Sequence, residues 1–99
     1  MTRRKGERPV LRYLDRWSAD HPVARSIAAG TNWFNAWIAQ KATPFPRLAQ
    51  RTGIPTARLM AIDQGDVIAR SELEALSRAW SVSVNDLIAS MPTADMVVE

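Results

Sequence analysis

The stretch between Pro44 and Gly65 limits the fold more than any other part of the chain. Pro44, Pro46, Gly53, Pro55 and Gly65 punctuate it. Proline lacks a backbone N–H and is tolerated only in the first turn of a helix, whereas glycine accepts the left-handed backbone that ends one. The spacing therefore predicts a short helix from Pro46 to Thr52, stopped by Gly53, and a second from Pro55 to Gln64, stopped by Gly65. Leu48 and Ala49 give the first its buried face, and Leu59 and Ile62 give the second its own. The small residue at 49 lets the helices cross closely, Gly53 permits the turn, and Ile54 fills the space between them. This is the local recipe of a helix-turn-helix, whose second helix directs its N-terminal end at the major groove of DNA.

The flanks read as helical too. Pro9 can open a helix that carries Val10, Leu11, Leu14 and Trp17 at helical spacing, and Asp20-His21-Pro22 reads as a turn or a restart. Val23, Ile27, Trp33, Phe34, Trp37 and Ile38 continue the period, with Gly30 interrupting and Thr31 or Asn32 placed to cap a new start. Residues 66–70 read as a loop. Ser71-Glu72-Leu73-Glu74 has the form of a capping box and opens a helix to about Trp80, and Ser83 opens a last helix that Pro92 stops. No segment alternates as a strand does, so the expected class is all-α. The divisions are a basic arm (1–8), a helical extension of one or two helices (9–30), a compact five-helix domain (31–91) and a short apolar tail (92–99).

Charge is unevenly spread. The net charge is +3, but residues 1–30 carry +4, residues 31–69 carry +2 and residues 70–99 carry −3. A cationic front and an anionic rear suit one surface that meets a polyanion and another that does not. The absence of cysteine excludes a disulfide framework, a thiolate zinc site and a cysteine nucleophile. No apolar run follows the arginine-rich start, and none is long enough to span a bilayer, so a cytoplasmic protein associated with the nucleoid is expected.

Leu48-Ala49, Gly53-Ile54, Leu59, Ile62-Asp63, Gly65, Leu73, Leu76, Val82-Ser83 and Asp86-Leu87-Ile88 together resemble the Cro/lambda-repressor-like, or Xre-type, helix-turn-helix family over about residues 31–90. The resemblance implies a five-helix domain that binds DNA sequence-specifically and often forms homodimers. The family often has Glu at the position of Asp63, paired with an Arg on its first helix. Here the matching stretch, Trp37-Ile38-Ala39-Gln40, offers no such partner. The outward positions of the reading helix, by resemblance, are Thr56, Ala57, Arg58, Met60 and Ala61. Thr56 and Arg58 are suited to polar base contacts, Arg58 to guanine, and Ala57 or Ala61 to a thymine methyl. Lys41, Arg47 and Arg51 then contact phosphates, as do Arg3, Arg4, Lys5 and Arg8 of the arm.

The expected function is transcription regulation by a duplex DNA-binding protein of bacterial or phage type, as a homodimer. Two alternatives stay open. One is an antitoxin-like or adaptor module that presents the apolar reading helix to a protein partner. The other is a low-specificity DNA binder. Trp17, Trp33, Trp37 and Trp80 read as core or dimer-interface residues, and the dimer surface is assigned to the extra N-terminal helices or to Val84, Leu87, Ile88 and Met91. His21 reads as a turn residue, and Ser71 and Ser83 as helix caps. No metal spacing, phosphate loop or catalytic triad is present, so neither an enzyme nor a cofactor is expected.

Overall fold

In the computed structural model, residues 17–99 are described. The chain there is mostly helical. Its first helix, α1 (Pro22–Ala28), is capped by His21, whose Nδ1 accepts the Val23 N–H at 3.1 Å. The helix α2 (Trp33–Lys41) is capped by Asn32, whose Oδ1 accepts the Asn35 N–H at 2.7 Å. It stops at Ala42, a non-glycine residue in the left-handed region with φ 51°. Then follow α3 (Phe45–Thr52), α4 (Thr56–Asp63), a two-residue strand β1 (Ile68–Ala69), α5 (Arg70–Trp80) and α6 (Val84–Ser90). A 3₁₀ turn over Ala94–Met96 leads into a second short strand, β2 (Val97–Val98).

Three expectations change. The short apolar tail, in a chain expected to hold no strand, forms one: β2 lies parallel to β1, with Val97 opposite Ile68 and Val98 opposite Ala69. Two residues per strand are too few for an alternating pattern to be visible in the sequence. The cap of α5 is Ala69 rather than Ser71, which lies exposed in the first turn. Alanine has no side-chain acceptor, so only the reciprocal half of the capping box exists, with Glu72 Oε1 accepting the Ala69 N–H at 2.9 Å. Finally, Leu87 and Met91 are buried within the chain, which removes half of the dimer surface assigned to the last helix. The helix expected from Pro9 falls largely outside the described residues.

The core joins Val23, Phe34, Trp37, Leu48, Leu59, Ile62, Ile68, Leu73, Leu76 and Leu87, all fully buried. Its centre is aromatic. Trp37 stacks on Trp80 with centroids 6.1 Å apart and planes 20° apart, and Trp17, His21, Phe34 and Phe45 extend the cluster on either side. Both indoles of the stacked pair find acceptors: Trp37 Nε1 donates to Ser90 Oγ and Trp80 Nε1 to Thr43 Oγ1, each at 2.9 Å. An indole left without such a partner would forfeit about 1–3 kcal/mol of its burial. Trp33, Trp37 and Trp80 thus belong to the core, and the half-buried Trp17 packs on its edge. Among the described residues no helix is long and apolar enough to cross a membrane.

Candidate nucleic-acid interface

α3 and α4 are joined by Gly53, Ile54 and Pro55. Gly53 has φ 79°, where a side chain would be strained, and its N–H donates to Ala49 O at 2.8 Å. Thr52 ties the turn from within: its hydroxyl donates to Leu48 O at 2.7 Å and accepts the Ile54 N–H at 3.1 Å. Ile54 is buried, held between the two helices it separates. Leu48 anchors α3 in the core, and Leu59 and Ile62 anchor α4. The outward face of α4 is therefore fixed as Thr56, Ala57 and Met60, all exposed, with Ala61 half-buried beside them.

Arg58 does not join that face. Its Nε donates to Glu72 Oε2 at 2.8 Å and its Nη2 to Glu72 Oε1 at 3.0 Å. Nη1 reaches Asp66 Oδ2 at 2.7 Å, and Nη2 also reaches the carbonyl of Val67 at 2.7 Å. Four of the five guanidinium donors are thereby committed within the chain. The hydrogen bonds to Glu72 raise the Arg58 pKa above its already high ordinary value, and the same bonds hold the Glu72 carboxyl below the usual carboxylate range. Reading guanine would require breaking this clamp, so the arginine expected to supply the strongest base contact instead ties α4 to the start of α5.

The expected phosphate contacts divide. Arg47 and Arg51, four residues apart on α3, are exposed and form no ion pair with a described residue. Lys41 is half-buried at the end of α2, and burial lowers its pKa. Arg3, Arg4, Lys5 and Arg8 lie outside the described residues.

One feature of the site does not follow from residue periodicity. α1, α2 and α6 are closed by the side chains of His21, Asn32 and Ser83, and α5 by Glu72. α3 and α4 begin at Pro44 and Pro55 with no side-chain cap and no acid in the first turn. The open N–H groups and the positive end of the helix dipole thus coincide at these two N-termini. Prolines in the cap position, rather than in the first turn, are the sequence signal for this. Asp63, expected to lack an arginine partner, is met by Asn32, whose Nδ2 lies 3.3 Å from both Asp63 O and Oδ1.

Among the described residues there is no group of three or more His, Cys, Asp or Glu that could hold a metal ion. No family model, curated protein or solved structure matches the chain.

Proposed function

We propose that the protein is a duplex DNA-binding regulator of the helix-turn-helix type, with α4 in the major groove and α3 across the backbone. The observation that carries this reading is the pair of helices α3 and α4 without side-chain caps, set on a tight glycine turn, with Arg47 and Arg51 exposed beside them and in no ion pair with a described residue. Open helix N-termini and unpaired guanidinium groups both favour phosphate oxygens. Base readout falls to the Thr56 hydroxyl and to apolar contact of Ala57, Met60 and Ala61 with thymine methyls. That is a sparse code, and DNA shape carries much of the selectivity. One reading helix buries too little surface for tight binding, so a homodimer on a two-part site is part of the proposal, as is a cytoplasmic location.

A second reading is favoured by the Arg58 clamp. With that guanidinium withdrawn, the α4 face is largely apolar, and Met60 is 49% exposed. Such a face also suits a protein partner. Selection of bound fragments from a random DNA pool at physiological salt decides between the two. A recurring two-part motif is the expected result, and no retention at all would replace the DNA reading with the protein-partner one. In the same assay the Arg47→Ala/Arg51→Ala pair should weaken binding to all sequences alike and reduce the slope of log affinity against log salt by about 2.

A further inference from the structure

The other end of α4 borders a cavity. It measures about 260 Å³ and opens between the helices, walled by Ile27, Trp33, Ile62, Met91 and Met96 with Asp63 at its polar edge. It exceeds the roughly 150 Å³ that suffices for benzene in an apolar protein cavity. Its wall is apolar with few polar groups, the usual make-up of a small-molecule site.

The charge of the cavity limits what it holds. Among the described residues, Asp63 is the sole ionisable side chain lining it. Its Oδ1 accepts from Asn32, and its Oδ2 has no partner among the described residues. The C-terminal ends of three helices converge there: Ile27 near the end of α1, Ile62 and Asp63 at the end of α4, and Ser90 at the end of α6. Helix C-termini carry partial negative charge, tempered at α1 and α4 by Gly30 donating to Ile27 O and Gly65 to Ile62 O. The N-terminus of α2, which also borders the cavity, has its Asn35 N–H taken by the Asn32 cap. Among the described residues, the cavity therefore combines apolar walls with a negative rim and no lining cation.

We infer that this cavity binds a small protonated amine with an aromatic or branched apolar body. The ammonium sits against Asp63 Oδ2 and the body fills the space between Trp33, Ile62 and Met96. Because Ile62 and Asp63 belong to α4, and Met96 immediately precedes the strand paired to β1, an occupant presses on the elements that set the orientation of α4. An effect of the amine on DNA affinity rests on the reading given above, whereas the site itself does not.

The test is a methyl-NMR titration of the full chain with 2-phenylethylamine and, separately, with its neutral analogue 2-phenylethanol. Expected are shifts at the methyls of Ile27, Ile62, Met91 and Met96, a dissociation constant for the amine on the order of 1 mM, and about tenfold weaker binding of the alcohol. Asp63→Asn keeps the acceptor for Asn32 and should abolish the preference for the amine while leaving alcohol binding unchanged. Equal binding of amine and alcohol, shifts confined to other methyls, or no shifts at about tenfold higher concentration would each overturn the proposal. Amine binding by a chain that retains no DNA would sink the DNA reading and leave the site standing.

Discussion

Removing the Arg58 clamp tests whether that side chain serves the fold or the ligand. The perturbation is a double-mutant cycle of Arg58→Ala and Glu72→Ala. Arg58 is 29% exposed and Glu72 is 18% exposed, and two of their atoms pairs lie at 2.8 and 3.0 Å. A two-pronged, charge-assisted pair this far from solvent is worth about 1.5 kcal/mol, between an exposed ion pair and a buried one. Asp66, at 50% exposure, adds only a few tenths. Arg58→Ala should therefore cost about 2 kcal/mol. Glu72→Ala should cost about 2.5, because it also strips the Ala69 N–H of its acceptor. The double variant should cost about 3, leaving a coupling of about 1.5 kcal/mol. Urea unfolding followed by tryptophan fluorescence resolves differences of that size. The pH dependence provides a control. The folded-state pKa of Glu72 is depressed, chiefly by the Arg58 hydrogen bonds, so the coupling is present above the ordinary carboxyl pKa of about 4.3 and is lost as pH falls through the depressed value. Additive single variants at neutral pH would refute the clamp. So would an Arg58→Ala protein of unchanged stability that no longer holds DNA, since that pattern belongs to a base-reading arginine.

Two further outcomes follow from the backbone and from burial. Ala42 ends α2 at φ 51° and Gly53 ends α3 at φ 79°, so Ala42→Gly should stabilise by up to about 1 kcal/mol and Gly53→Ala should destabilise by about 1; shifts of the same sign in both urea midpoints would contradict this. His21 is buried at the cap of α1, and burial lowers its pKa despite the opposing charge of Asp86. The unfolded chain then binds a proton more readily, so stability is full above about pH 6.5 and falls as the pH drops through the lowered value. His21→Asn, which keeps an acceptor at the cap, should flatten the midpoint between about pH 5 and 7, and a wild-type midpoint already flat there would count against it.

What could be read in the sequence was local. Gly53 and Gly65 mark helix ends, Asn32 and Ser83 mark helix starts, and Leu48, Leu59 and Ile62 mark buried faces. Each signal acts over a turn or less, and the helices fall close to where those residues place them. What stayed hidden was non-local. Arg58 meets Asp66 and Glu72 across a loop and a helix start, and no periodicity links the three. The sequence offered Arg58 as an outward residue because α4, taken alone, has nothing to bind it. The pairing of Val97 and Val98 with Ile68 and Ala69 was hidden for the same reason.

The stacked pair of Trp37 and Trp80, 6.1 Å apart and nearly parallel, has an optical consequence. Indole transitions held that close in a fixed orientation couple, and the coupled states are chiral. The folded protein should then show an aromatic circular dichroism couplet overlying its helical bands, so ellipticity near 222 nm gives a distorted measure of helix content. The same couplet changes once either ring turns, which makes it a gauge of packing at the centre of the core, independent of how much helix remains.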